Sequence, residues 1–183
     1  CLSAQERHEY YTQILNELTL DSESLEDLKR RGFTEEQIKE CGFKSIKRNQ
    51  VLKRKYPKNL PGISWNQKML FVGGAGTIIP VRNVDGYIVA LQLRFHKLLE
   101  ESGRYRWIST PQNAVLQTKE FAELPLAVYI PSKLKTFKIV FVEGTGHKPY
   151  LAAQRMGAIA IGAAGGLHGS SANTLINASA KIK

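Results

Sequence analysis

Apolar positions in the first 45 residues recur at the spacing of amphipathic helices. Those between Tyr10 and Leu18 fall on one helical face, and Ser3-Ala-Gln-Glu6 has the form of a capping box. The pattern predicts three short helices, over roughly 4–18, 24–31 and 34–42, the last beginning with the capping box Thr34-Glu-Glu-Gln37. The glycine turn between the second and third helices permits a helix-turn-helix motif. Three glutamates on the third helix make it a poor surface for a DNA groove, so we favour simple packing.

The apolar period changes to two after residue 76, which is typical of strands. Segments 77–81 and 87–95 flank a turn that ends in Asp85-Gly86, and 104–109 is a third strand candidate. These segments predict a small antiparallel sheet. The stretch 111–131, with its prolines, is expected to be a connection.

A β-α-β unit is predicted near the end of the chain. Residues 139–142 are a continuous apolar run rich in β-branched residues, 149–156 read as a helix, and 158–161 are a second apolar strand. Ligands of such units bind at the carboxyl ends of the parallel strands, so loops 143–148 and 162–169 should meet. The predicted class is therefore α/β, with a helical lead-in (1–60), an antiparallel β subdomain (61–131) and a partial parallel β-α-β unit (132–183).

The net charge of +10 is unevenly distributed. Residues 1–60 carry 12 basic and 10 acidic side chains, whereas 61–183 carry 14 and 6. Residues 44–58, here called the basic run, hold seven basic side chains and no acidic one. This run, with Lys53, Arg54 and Lys55 at its centre, favours a polyanion such as nucleic acid, although a solvated loop explains it equally well. Tyr105 and Trp107 alternate with arginines, and such rings beside cations suit the binding of a single strand. Packing of these rings in the core explains the same pattern.

Glu143 is the strongest chemical candidate, because it stands alone at the end of a buried strand, with Lys148 nearby. Such a pair can move a proton or hold a metal-bound phosphate. Gly144, Gly165 and Gly166 are candidates for a phosphate-binding loop, although helix-strand packing requires glycine as often. Glu143, His147 and His168 could form a two-histidine, one-carboxylate metal set, but their spacing is unspecific.

Other classes are disfavoured by the sequence. It contains no Gly-Lys pair, which excludes a Walker A loop, and its two cysteines form neither a disulfide framework nor a zinc motif. With no long apolar run and no signal-peptide pattern, we expect a cytoplasmic protein without membrane contact. Because the chain begins with Cys1, we expect it to be trimmed, to be excised from a longer protein, or to carry the remnant of a tag.

The order of several motifs resembles a known family. These are Gly76-Thr-Ile-Ile-Pro-Val-Arg82, Asp85-Gly-Tyr-Ile-Val-Ala-Leu-Gln-Leu-Arg94, Arg104-Tyr-Arg-Trp-Ile-Ser-Thr-Pro111 and Val142-Glu-Gly144. In this order they are similar to the catalytic core of bacterial primases, where a basic α/β subdomain precedes a TOPRIM domain. Residues 2–183 resemble still more closely the TOPRIM-like region of cyanobacterial plasmid replication proteins, which carry a helicase-type ATPase further along.

The resemblance implies roles for particular residues. Glu143 matches the TOPRIM glutamate, which acts as a general acid/base in strand-joining members and assists metal-dependent nucleotidyl transfer in primases. The resemblance therefore also implies Mg²⁺ as the cofactor and Glu143 as a metal ligand. Residues implied in or near a groove for single-stranded DNA or an RNA–DNA hybrid are Arg82, Arg94, Lys97 and Arg104. TOPRIM domains also use an Asp-x-Asp pair on a later strand, and the sequence reaches Lys183 without one, so the fragment alone is expected to be inactive.

The resemblance thus predicts the primase-like portion of a plasmid or mobile-element replication protein. A non-catalytic DNA-binding module that positions an attached helicase is the alternative. A nucleotide-sensing domain that uses the glycine turns is a third.

Overall fold

The computed structural model describes residues 2–99, 103–109, 124–164 and 172–182. Helices in these residues are α1 (Ala4–Asn16), α2 (Ser22–Arg30), α3 (Glu35–Cys41), α4 (His147–Met156) and α5 (Ala172–Lys181). The strands are β1 (Lys44–Ile46), β2 (Gln50–Val51), β3 (Met69–Leu70), β4 (Gly76–Arg82), β5 (Ile88–Leu99), β6 (Gly103–Trp107), β7 (Ala127–Tyr129), β8 (Ile139–Glu143) and β9 (Ile159–Ala163). The α/β class predicted from the sequence is confirmed.

Both predicted capping boxes are present. The backbone N–H of Glu6 donates to Ser3 Oγ at 3.2 Å, and the Glu6 carboxylate accepts from the Ser3 N–H at 2.7 Å. Thr34 and Gln37 make the same reciprocal pair at the start of α3. These bonds satisfy backbone donors that a helix otherwise leaves unpaired, which is why the sequence located both helix starts correctly.

The predicted antiparallel sheet has four strands in the order β1-β4-β5-β6. Strands β4 and β5 are joined by the predicted turn, in which Gly86 has a φ of +79°. Strand β1 was not predicted, because its residues lie in the basic run, which we expected to be a loop. Strand β2, also in that run, pairs with β3 to form a separate two-stranded sheet.

A second main sheet has the order β7-β9-β8. Strands β8 and β9 are parallel and α4 connects them, which confirms the β-α-β unit. The expectation that the strand before Glu143 is buried is wrong, because β8 is at the edge of the described sheet and its residues are half-buried or exposed. Strand β7 pairs antiparallel to β9 within the stretch that we expected to be only a connection. Its short apolar run lies between Pro125 and Pro131, and the prolines concealed it. The sheet therefore contains the predicted parallel pair and one additional antiparallel strand.

The four-stranded sheet is buried on both faces along β4 and the first half of β5, whereas most of β6 is exposed. One face packs on α1 through a cluster that includes Tyr11, Ile14 and Leu93. The other face contributes Ile79 and Val81 to a cluster that also contains side chains of α2, α3, α4, β7 and β9. The two main sheets therefore share one core, and this holds β6 and the β8–α4 loop in fixed relative positions.

Helices α2 and α3 belong to this packing, as the favoured interpretation proposed. Leu28 and Ile38 are buried in the shared core, and the Tyr150 hydroxyl donates to Glu40 at 2.6 Å. The exposed side of α3 carries Glu35 and Glu36, which would repel phosphates. Within the described part of the chain, no helix has the length and apolarity needed to cross a membrane.

Candidate functional site

A cleft of about 840 Å³ lies between β6 and the loop that joins β8 to α4. One wall contains Glu143, Gly144, Thr145, Gly146, His147 and Lys148, and the other contains Tyr105, Arg106 and Trp107. Phe71 and Gly73 line one end. The cleft thus combines a carboxylate, cations, aromatic rings and a glycine-containing loop at the carboxyl end of a parallel strand, where α/β sheets bind ligands.

Glu143 is the last residue of β8 and its side chain is exposed. The next residue, Gly144, has a φ of +94°, which favours glycine over any other residue. Its N–H donates to the carbonyl of Ala163 at 2.6 Å. This hydrogen bond holds the turn after β8 against the neighbouring strand β9, and so it fixes the position of Glu143 at the cleft.

A glycine in β9 allows α4 to approach the sheet closely. A Cβ on Gly162 would lie 2.3 Å from the carbonyl oxygen of Gly144 and 2.3 Å from Pro149 Cγ. Only a residue without a side chain permits this contact. Sequence reasoning did not identify Gly162 as part of the site, although a glycine inside an apolar strand is a known sign of close backbone approach.

The first turn of α4 faces no capping side chain, because its N-cap residue is Gly146. The early N–H groups of a helix carry partial positive charge and attract anions. Lys148, exposed in the same turn, adds a full positive charge at the cleft. Glu143, Gly144 and Lys148, which the sequence predicted together, are therefore brought together here.

The two walls of the cleft are hydrogen-bonded to each other. The Thr145 hydroxyl donates to the side-chain oxygen Oε1 of Gln92 at 3.2 Å, and both residues are buried. The Tyr105 hydroxyl and His147 Nδ1 are 3.4 Å apart. These contacts connect β5 and β6 to the β8–α4 loop, and sequence reasoning missed them because they join residues about 40 to 50 positions apart.

His147, the first residue of α4, is buried, at 4% exposure. Its ring lies 5.9 Å from Phe33 and 5.5 Å from Phe43, measured between centroids, and Nε2 has no hydrogen-bond partner among the described residues. Burial, with the nearby charges of Arg31 and Arg94, lowers the pKa of His147 to about 3. The imidazole is therefore neutral at physiological pH.

Arg94 lies behind this wall of the cleft rather than at its surface. The side chain is 4% exposed, and Nη1 pairs with Asp27 Oδ2 at 2.9 Å. Burial alone would raise the pKa of Asp27, but hydrogen bonds from Arg31 and Arg30 and the charge of Arg94 lower it to about 2. Because its guanidinium is engaged inside the protein, the placement of Arg94 corrects our expectation of a groove residue.

Apart from Lys148, the other predicted basic residues do not line the cleft. Lys97 and Arg104 are exposed on β5 and β6, and Arg82 is at the opposite end of β4, where it donates to the Gly86 carbonyl at 3.2 Å. Residues 53–55 are exposed in the basic run, although the Lys53 N–H and the Arg54 side chain contact Glu17. Their predicted contact with nucleic acid stays a prediction.

The described residues do not form a metal site. Glu143 is the one carboxylate that lines the cleft, and the described ranges contain no group of three or more histidine, cysteine or acidic residues that could hold a metal. Proteins hold Mg²⁺ through one or two carboxylates together with waters and substrate phosphates, so Glu143 can supply one ligand, and the described residues add no second carboxylate at the cleft. Gly165, Gly166 and His168 lie outside the described residues. The predicted glycine loop and two-histidine set stay untested.

Comparison with solved structures identifies proteins that have a similar fold. A DNA primase domain from Pseudomonas aeruginosa matches with a TM-score of 0.59 and 16% identity, covering 94% of this chain and 57% of that one. A DnaG primase catalytic domain bound to single-stranded DNA matches with a TM-score of 0.58 and 14% identity, covering 96% of this chain and 59% of that one. The chain has the fold of part of a primase catalytic domain.

A third match, the DnaG catalytic core, has a TM-score of 0.51 and 15% identity and covers 86% of this chain and 54% of that one. This chain therefore spans slightly more than half the length of the primase domains that it resembles. No protein-family model matches the sequence, and the comparison with curated proteins finds no match. The likeness is one of fold.

Proposed function

We propose that this chain is the primase-like portion of a DNA replication protein and that its cleft binds single-stranded nucleic acid. The observation that carries the proposal is the composition of the cleft, with Glu143 and Lys148 on one wall and Tyr105, Arg106 and Trp107 on the other. Cations beside aromatic rings suit a flexible strand, whose phosphates and unstacked bases are both accessible. The similarity to primase folds supports the same role.

Each side of the cleft has a distinct task in this proposal. Lys148 and the first turn of α4 attract phosphate, and Tyr105 and Trp107 offer rings to bases. Glu143 is the group that accepts or donates a proton at the reacting atoms. We assign no step to Mg²⁺, because Glu143 is the one candidate ligand that the described residues place at the cleft.

The proposed biological setting follows from the sequence resemblance alone. It supports plasmid or mobile-element replication in the cytoplasm, with an attached helicase-type ATPase in the complete protein. A DnaG catalytic domain in complex with single-stranded DNA is among the structures with this fold. Its ligand supports a single strand as the partner of this chain.

Replacement of Glu143 by Gln in the full-length protein tests the catalytic role. The change keeps the size of the side chain and removes its charge and basicity, so primer synthesis on a single-stranded template should be lost while DNA affinity stays nearly unchanged. Glu26→Gln, on the exposed side of α2, is the matched control and should retain synthesis. Retained synthesis in Glu143→Gln would remove Glu143 from the mechanism.

The lone carboxylate favours a second candidate, a non-catalytic DNA-binding module that positions an attached helicase. The same variants distinguish the two functions. If the chain is a non-catalytic module, the full-length wild-type protein should bind DNA but make no primer under any metal condition. Glu143→Gln should then leave DNA binding unchanged.

A further inference from the structure

A hairpin connects the basic run to the cleft. Residues 62–71, here called the connecting hairpin, are closed by bonds from the Phe71 N–H to the Gly62 carbonyl at 2.8 Å and from the Ser64 N–H to the Met69 carbonyl at 2.9 Å. The basic run is attached to it, since the N–H groups of Leu52 and Tyr56 donate to carbonyls of the hairpin at 2.8 and 2.9 Å. One rigid element therefore contacts the basic run and ends at the cleft.

The connecting hairpin exposes two large aromatic side chains. Trp65, in its turn, is 85% exposed, and Phe71, which also lines the cleft, is 52% exposed. The ammonium of Lys58, from the basic run, lies 3.9 Å from the centre of the Trp65 ring. Tryptophan is usually largely buried, so a Trp ring that is this exposed and has a lysine over it is a candidate contact surface.

The charge around these rings identifies the kind of partner. No acidic residue occurs between Glu40 and Asp85, a stretch that contains the basic run, the connecting hairpin and Lys68. Arg106 approaches from β6, with Nη1 3.2 Å from the position that a Cβ on Gly73 would take. Exposed rings among cations match a strand whose backbone is anionic and whose bases offer flat faces.

We propose that Trp65 and Phe71 form a base-stacking track that leads a single-stranded nucleic acid from the basic run into the cleft. This inference rests on the proposed function and adds where the strand travels outside the cleft. Lys58 holds the Trp65 ring in place and contacts phosphate, and a base stacks on the open face of that ring. Arg106 meets the strand next to Phe71, where the track enters the cleft.

Binding of labelled oligonucleotides to the 183-residue chain, measured by fluorescence anisotropy, tests this track. The probes are oligothymidylate of about 12 nucleotides, within the span of one single-strand site, the equivalent oligouridylate, and an abasic strand of equal length. The variants are Trp65→Ala and Trp65→Phe. Phe137→Ala is the matched control, because Phe137 is 95% exposed in the β7–β8 loop.

Loss of one stacked base should weaken the affinity of Trp65→Ala for oligothymidylate by about 5- to 150-fold. Trp65→Phe should recover most of it, Phe137→Ala should match wild type, and the abasic strand should bind all four chains equally. Oligouridylate should behave like oligothymidylate, because a stacked ring reads neither the sugar nor the sequence.

Equal affinity of wild type and Trp65→Ala for oligothymidylate would overturn the track and leave the proposed function intact, provided that wild type binds. Equal weakening of the abasic strand by Trp65→Ala would also overturn it, because the effect would then not involve bases. Failure of wild type to bind any probe at low salt would overturn both proposals.

Discussion

Protonation of His147 should make the stability of this protein depend on pH in a way that one substitution removes. Its pKa is about 3 in the folded chain and about 6.5 when unfolded. The unfolded state therefore binds more protons between these values, so stability is present above the unfolded pKa and falls as the pH falls through it. At about 1.36 kcal/mol per unit, lowering the pH from 7 to 5 costs about 2 kcal/mol through this residue.

Urea unfolding at the two pH values measures this cost, since the midpoint multiplied by the slope gives the free energy of unfolding. The comparison chain is His147→Phe, whose ring suits a site between Phe33 and Phe43 and does not titrate. His8, whose pKa is also lowered by burial, contributes equally to both chains. Wild type should lose about 2 kcal/mol more than His147→Phe between pH 7 and pH 5.

This difference in unfolding free energy is nearly the same for any pKa of His147 below about 4 in the folded chain, because the ring is then still deprotonated at pH 5. An identical loss in the two chains would therefore refute the reasoning. It would mean that His147 titrates normally in the folded protein, and hence that water reaches the ring or that the β8–α4 loop is open.

Three further predictions test the packing and the charge. Asp27→Asn should lower the free energy of unfolding, measured in urea, by roughly 3 kcal/mol, because it leaves the charge of the buried Arg94 uncompensated. The control is Asp85→Asn, which removes an exposed ion pair with Lys181 and should cost about 1 kcal/mol or less. Gly162→Ala should cost about 1–3 kcal/mol by overpacking, and unchanged stability would contradict the close approach of α4. Neutralising 53–55 should flatten the slope of log affinity against log salt by up to about 0.7 per lost contact with a single strand, and an unchanged slope would make the run a solvated loop.

Local signals in the sequence were sufficient for most of the fold. Capping boxes located α1 and α3, the Asp-Gly turn located β4 and β5, and the β-branched run before Glu143 located β8. Each of these features depends on residues close together in the chain, so one sequence is enough to identify it. Strand β1 was missed because its residues belong to the basic run, and β7 was missed because prolines flank it. Both segments form strands by pairing with a segment distant in the sequence, which local signals do not reveal.

The candidate site was predictable only in part, for the same reason. Glu143, Gly144 and Lys148 follow one strand and were expected together. The opposite wall comes from β6, and the sequence does not reveal that Tyr105 meets His147 or that Thr145 meets Gln92. Arg94 was expected in or near a groove from the family resemblance, which does not reveal that its guanidinium pairs with Asp27 inside the protein.

The binding of single-stranded nucleic acid in the cleft is the central claim. Its most direct test is the anisotropy of labelled single-stranded and duplex DNA across a salt series, with wild type, Lys148→Gln and Lys133→Gln. Lys133 is an exposed lysine that does not line the cleft, and so serves as the control. We expect tighter, salt-dependent binding of the single strand and a salt slope that Lys148→Gln alone reduces, by about 0.7. Absence of binding at low salt, or equal slopes for all three chains, would contradict the claim.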